Sequence, residues 1–211
     1  VDTGTGTTDA ISLSNAALVA DDMGDAKNIV STGYETVNIN SSNKNGTETQ
    51  DFGTITLTGD TGATTTTVNF SGSNKVIVQA ITATVIDASG MTAAASGTTF
   101  SMGAAAVGVT SIKGSPGADT LVGDAKSTIE GGAGNDNITG GSGNDTLHGD
   151  AGNDTITTGA GSDTVKGGDG NDIIVAAGDL TAADKIDGGD GTDTLSVTSA
   201  SLTALQALSI S

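Results

Sequence analysis

The sequence predicts an all-β fold, a β-solenoid with a few short helices, on three observations. From residue 114 the chain can be written in units of nine, each with one fixed apolar position. Upstream of that array, short β-branched runs alternate with turn clusters. Only four aromatic residues (Tyr34, Phe52, Phe70 and Phe100) serve 211 residues. With so few large core side chains, a thin, elongated β-structure suits the chain better than a globule.

Composition divides the chain. Thirteen of its 33 glycines lie in residues 1–110 and twenty in 111–196, so the character changes near Ser111. Residues 1–33 are expected to hold a short strand from Ala10 to Leu13 and a helical patch, as the end of a preceding module. Asn15 is placed to cap that patch and Ala16, Ala17, Leu18 and Ala20 to fill it, before Asp21, Asp22 and Gly24 end it. Residues 34–110 read as an irregular β-helix-like segment, 111–196 as the repeat array, and 197–211 as the start of a following module.

Within 34–110 the expected strands are Thr36–Asn40, 54–58, 65–70, 75–79, 82–86, 99–102 and 107–112. Asn45-Gly46, Gly59-Asp60 and Ser71-Gly72 mark turns between them. Val68, Val76 and Val85 fall eight and then nine residues apart, the uneven rung spacing of a β-helix with variable loops. A small β-sandwich is the alternative for this segment.

The array reads GSPGADTLV, a shortened GDAKSTIE, GGAGNDNIT, GGSGNDTLH, GDAGNDTIT, TGAGSDTVK and GGDGNDIIV. An irregular AAGDLTAADKID and a final GGDGTDTLS complete it. A fixed internal period defines an architecture more firmly than local propensity does. Each unit divides into a six-residue turn and a three-residue strand. The middle strand position is always apolar: Leu121, Ile129, Ile138, Leu147, Ile156, Val165, Ile174, Ile186 and Leu195. Its neighbours are mostly polar, as in a strand with one buried side. The sixth position is Asp in seven of the nine units. Ordering nine backbone residues costs several times what one buried apolar side chain returns. The stacked carboxylates also repel, so without metal the array should be disordered. A Ca2+ ion between stacked turns would remove that repulsion and take the oxygen donors it prefers from Asp and backbone carbonyls.

The array resembles the RTX family, whose GGxGxDxUx nonapeptide winds a right-handed parallel β-roll. The resemblance covers residues 114–196. It implies two nonapeptides per coil, with calcium between turns two units apart. One row would then stack Asp119, Asp136, Asp154, Asp172 and Asp193. The other would stack Asp145 and Asp163, with Ser127 before them and Asp184 after. The turn backbone implied in metal binding is Gly131, Gly132, Ala133, Gly134, Gly140, Gly141, Ser142, Gly143, Gly149, Ala151 and Gly152. Gly159, Gly161, Gly167, Gly168, Asp169, Gly170, Gly189 and Gly191 complete that set. Ser127 stands in place of Asp in a shortened turn, and residues 180–183 lengthen the turn of Asp184, so a site at either is in question. Thr158 and Ala176 replace the first glycine, a change that a carbonyl ligand survives. About four to six ions are expected.

Charge narrows the partners. Acidic residues outnumber basic ones 25 to 7 and the net charge is −18, which disfavours nucleic acid and anionic membrane surfaces and favours divalent cations. Cysteine is absent, so metal takes the place of disulfides as a staple. No apolar run approaches the roughly 20 residues that span a bilayer. With one histidine and no HExxH run, neither a zinc site nor a cysteine triad can be built, and no enzyme activity is expected of the segment. His148 should point outward from a strand.

Weaker signals have plainer readings. Asp21, Asp22 and Asp25 suit a solvated helix end better than a calcium loop. The threonine run at 64–67 invites an ice-binding reading, but Ala, Ser or Asp precedes Gly-Asn-Asp in the repeat turns, not a regular Thr. A disordered acidic linker would lack the strict phasing. Residues 189–198, continued by 199–211, resemble residues 6–14 continued by 15–33, as a duplicated module would.

The composition and the array together resemble a bacterial surface-layer (S-layer) protein. That resemblance implies a structural, calcium-binding module secreted by type I export to the cell surface. It implies self-association into a lattice, with a cell-surface glycan or lipopolysaccharide as a further partner. A stalk segment of a large RTX adhesin is the first alternative. The export and folding module of a secreted protease, lipase or toxin is the second.

Overall fold

The computed structural model of the chain describes residues 10–14, 27–32, 35–40, 49–58, 65–73, 75–92, 100–102, 108–176 and 180–197. Strands are numbered in chain order, and successive strands fall alternately in two sheets. The first strands are β1 (Ala10–Ser14), β2 (Lys27–Thr32), β3 (Thr36–Asn40), β4 (Thr49–Thr58), β5 (Thr67–Gly72) and β6 (Lys75–Thr82). They continue as β7 (Val85–Met91), β8 (Phe100–Met102), β9 (Ser111–Lys113), β10 (Thr120–Val122), β11 (Thr128–Ala133) and β12 (Asn137–Thr139). The last are β13 (Thr146–Ala151), β14 (Thr155–Thr157), β15 (Thr164–Asp169), β16 (Ile173–Ala176), β17 (Lys185–Asp190) and β18 (Thr194–Val197).

The nine odd strands form one sheet and the nine even strands the other, each in sequence order and parallel throughout. A chain that alternates between two parallel sheets in this way is a solenoid with two strands per coil. Parallel pairing removes the antiparallel sandwich as an alternative. The expected helical patch, the acidic cluster of Asp21, Asp22 and Asp25, and the module start at 198–211 lie outside the described residues. Among the described residues there is no helix, and none long and apolar enough to cross a membrane.

The core lies between the sheets. In the repeat coils the middle strand residue fills it: Leu121, Ile129, Ile138, Leu147, Ile156, Val165 and Ile174 are all buried. Earlier coils bury two or more apolar residues per strand, among them Val37 and Ile39, Val68 and Phe70, and Val76 and Val78. One apolar cluster runs from Val37 to Ile174, with Ile186 partly buried against it. The irregular segment and the array thus share a core.

Three sequence expectations need correction. The stretch at 82–86 is not one strand, because the chain turns at Ala83 and Thr84. There Thr66 Oγ1 accepts from the Thr84 amide at 3.1 Å and Thr84 Oγ1 accepts from the Thr66 amide at 3.2 Å. β4 begins at Thr49, ahead of the expected start, and pairs with β6 from its first residue. Finally, the repeat strands are not uniformly three residues long. β11, β13, β15 and β17 run six residues, into the Gly-Gly-X (Gly-Asp-Ala in β13) of the next turn, whereas β10, β12 and β14 keep three. The register skips Gly131 and Gly149 between the Glu130–His148 and Gly132–Asp150 pairs, so the chain rounds its corner at the first glycine.

A candidate metal-binding ladder

The repeat turns pack one coil upon the next, and their sixth residues meet. The Asp119 amide donates to Oδ1 of Asp136 at 2.8 Å, Asp136 to Asp154 at 2.7 Å, Asp154 to Asp172 at 2.8 Å and Asp172 to Asp193 at 2.9 Å. On the opposite edge the Ser127 amide donates to Asp145 at 2.7 Å, Asp145 to Asp163 at 2.9 Å and Asp163 to Asp184 at 2.7 Å. These are the two rows that two nonapeptides per coil require. The first precedes the even strands and the second precedes the odd ones. The extra residues at 180–183 do not break the second row. They stretch its spacing from 18 to 21 residues and fold back, the Thr181 amide donating to Asp184 Oδ2 at 2.6 Å.

Each ladder bond occupies only one carboxylate oxygen. Asp136, Asp145, Asp154 and Asp172 are 1–2 % exposed, and their Oδ2 atoms are buried without a hydrogen-bond partner. A buried carboxylate oxygen left so costs free energy unless a cation or proton satisfies it. Burial accordingly pushes the Asp136 carboxyl up to about 8, and those of Asp145 and Asp154 to about 6.

Beside each orphaned oxygen lies a small cradle at the first glycine of the turn. A Cβ on Gly131 would sit 2.5 Å from Asp136 Oδ2 and 2.6 Å from the Gly149 carbonyl oxygen. On Gly149 it would meet Asp154 Oδ2 and the Gly167 carbonyl, and on Gly167 it would meet Asp172 Oδ2 and the Gly188 carbonyl. At Gly140 the neighbours are Asp145 Oδ2, at 2.7 Å, and the Thr158 carbonyl. The Thr158 carbonyl thus lies where a glycine carbonyl lies in the other row. Carboxylate and carbonyl oxygens facing one space are the hard donor set of Ca2+. Among the described residues no group of three or more His, Cys, Asp and Glu could hold a metal, so carbonyls must complete any shell. The residues fit calcium: Asp136, Asp154 and Asp172 on one edge and Asp145 on the other would each hold an ion with the turn carbonyls, and bound ions would offset the charge of the rows.

The ends of the rows differ from their middles. Asp119 takes hydrogen bonds from its own turn, from the Ser115 amide at 2.5 Å and the Ser115 hydroxyl at 2.7 Å. Ser127 Oγ bonds the Val109 carbonyl at 3.4 Å. Asp193 and Asp184 close the rows, both half-buried. The roles of Ser115 and Thr181 were not read from the sequence; the signal for Ser115 is a hydroxyl four residues before the aspartate.

Sequence reasoning also passed over the fifth position. Asn135 Oδ1 accepts from the Asn153 amide at 2.9 Å, Asn153 from Asn171 at 2.7 Å and Asn171 from Thr192 at 2.8 Å. On the other edge Asn144 accepts from Ser162 at 2.9 Å. The recurring Gly-Asn-Asp was the available signal. Of the implied turn backbone, Gly132, Gly134, Gly141, Gly143, Gly152, Gly159, Gly161, Gly168, Gly170, Gly189 and Gly191 have positive φ. Ala133 pairs with Ala151 and Ala151 with Asp169 along the odd sheet, while Ser142 bridges to Ala160 on the other edge.

Comparison with protein-family models matches the RTX calcium-binding nonapeptide repeat in four copies, over residues 113–147, 126–156, 148–179 and 180–197. No curated protein matches the chain. The repeats and the solenoid they build are structural, and the repeats bind calcium.

Proposed function

With residues 113–197 built of RTX calcium-binding repeats, we propose that this is a structural module of a bacterial surface-layer protein, secreted unfolded and folded by calcium outside the cell. The observation that carries the reading is the row of buried Asp oxygens with no partner in the protein. With these carboxylates ionised, such a core needs cations. Calcium is scarce in the cytoplasm, and extracellular modules bind it with Kd on the order of 10⁻⁴–10⁻³ M. RTX repeats typically occur in secreted proteins, which supports type I export to the cell surface.

The outer faces support self-association. On the even sheet, residues Thr120, Asn137, Thr155, Ile173 and Thr194 form one column, and Val122, Thr139, Thr157, Val175 and Ser196 the other. None is charged. On the odd sheet the corresponding column is Lys113, Glu130, His148, Lys166 and Asp187, with Lys113 Nζ 3.1 Å from Glu130. In a chain of net charge −18, the uncharged face is where two copies approach with least repulsion. Five strands about 4.8 Å apart and three residues long present roughly 250 Å². That is well below the about 800 Å² per partner of a stable pair, so single contacts would be weak and a lattice would add them.

Sedimentation and electron microscopy of the protein across a calcium series, with magnesium as control, test the proposal. Ordered assemblies that need calcium, and that Thr157→Glu disperses without loss of calcium-induced β-signal, support it. A calcium-folded particle that stays monomeric at high concentration would favour an adhesin stalk instead, a role that suits the uninterrupted stacking of both sheets.

A further inference from the structure

The two Asp rows do not offer equal room for metal. In the row before the even strands the turns begin with Gly114, Gly131, Gly149, Gly167 and Gly188, and the middle three each border an orphaned Asp oxygen. In the row before the odd strands only Gly140 does so. One coil later that position is Thr158. The Thr158 amide donates to the Val175 carbonyl at 3.1 Å just as the Gly140 amide donates to the Thr157 carbonyl at 2.9 Å, so the backbones are equivalent. Thr158 is buried, 6 % exposed, and its hydroxyl donates to the carbonyl of Gly159 at 3.4 Å, so at this turn a side chain stands where the glycines carry none. Asp163, in the same turn, is not among the carboxylates with an orphaned oxygen.

We infer that Thr158 plugs the metal cradle of its own turn, leaving three contiguous calcium sites on one edge of the solenoid and a single isolated one on the other. The neighbours on that edge agree. Toward the N-terminus, Ser127 stands in for Asp and its hydroxyl and Cβ crowd the space at Gly123. Toward the C-terminus, Ala176 replaces the first glycine and Asp184 Oδ2 is taken by the Thr181 amide. The edges differ in their backbones as well. The first three residues of the turns on the three-site edge are continuous with the odd sheet, whereas among the described residues the other edge keeps only the Ser142–Ala160 bridge outside its strands. Calcium should therefore fill a coupled class of sites and one independent site.

The inference rests on the calcium-folded reading, and native mass spectrometry of the calcium-saturated protein separates the two. A wild-type protein that binds no calcium refutes that reading itself. Otherwise Thr158→Gly should bind one ion more than wild type, and Thr158→Ala, which keeps the Cβ, should bind no more. An unchanged count for Thr158→Gly, or a gain for Thr158→Ala, overturns the plug. Should Thr158→Gly not fold in calcium by circular dichroism, Gly140→Thr decides. Loss of one ion supports the inference, and the wild-type count overturns it.

Discussion

The backbone amide of Asp136 donates to Oδ1 of Asp154, eighteen residues ahead and 2.7 Å away. The adjacent pair runs the other way, the Asn153 amide donating back to Asn135 Oδ1 at 2.9 Å. Neighbouring coils are thus stitched in both directions by two consecutive side chains. The aspartate of each pair keeps one oxygen for a cation.

Substitution at Asp154 should separate these two roles. Asp154→Ala strips the buried Asp136 amide of its acceptor, a loss of about 1–3 kcal/mol before any metal effect. Asp154→Asn keeps an acceptor but removes the charge. Asp119 takes its bonds from Ser115 in its own turn. The calcium midpoint, followed by circular dichroism, should therefore rise most for Asp154→Ala, less for Asp154→Asn and least for Asp119→Ala. Equal midpoints for Asp154→Ala and Asp119→Ala would contradict the shared ladder.

Acid should partly replace calcium. Burial holds the folded carboxyls of Asp136, Asp145 and Asp154 near 8, 6 and 6, whereas unfolded Asp titrates near about 3.9. The folded metal-free chain binds more protons, so its stability is full below about pH 4 and falls as pH rises through 6 to 8. In chelator, β-signal at pH 4 should exceed that at pH 8, and calcium affinity should climb over the same range as protons leave. A metal-free β-signal that grows with pH would be the contrary result.

Asp150 has φ 73°, the only positive φ at a non-glycine among the described residues. It pairs in register with Gly132 and Gly168, which have the same handedness. Asp150→Gly should gain about 0.5–1 kcal/mol in urea unfolding at saturating calcium, and Asp150→Ala should lose a comparable amount. No gain for the glycine would mean that the aspartate is held by more than its backbone.

Chelation should melt the array first. Its strands bury one apolar residue each in the run from Leu121 to Val165, whereas β3, β5 and β6 each bury at least two. Hydrogen exchange in chelator should open residues 114–196 while protection persists around Val37, Val68 and Val76. An array that remains protected would show that burial alone sustains it.

The stacking of Asp136 on Asp154 was legible through the RTX resemblance that the period of nine carries, since two nonapeptides per coil set which turns meet. The resemblance also placed Ser127 and Asp184 correctly at the ends of their row. Thr36–Asn40 was legible from alternation alone. The six-residue length of β11 was not, since Gly-Gly-Ala reads as a turn until a neighbouring coil supplies its partners. Nor was the hold of Ser115 on Asp119, for periodicity describes what recurs and that contact occurs at an end. The difference between Thr158 and Gly140 was visible as a departure, but its effect needed the burial of the threonine.

The parallel stacking also has a mechanical meaning. Every ladder bond points along the axis between residues about one coil apart, so tension on the chain ends would load the coils in series. A released coil of eighteen residues gives up about 60 Å of chain where it had occupied about 4.8 Å of length. Each lost coil would therefore release slack while its neighbours stay closed. With calcium fixing the force at which coils let go, the solenoid would act as an extensible tether whose stiffness is set by the surrounding medium.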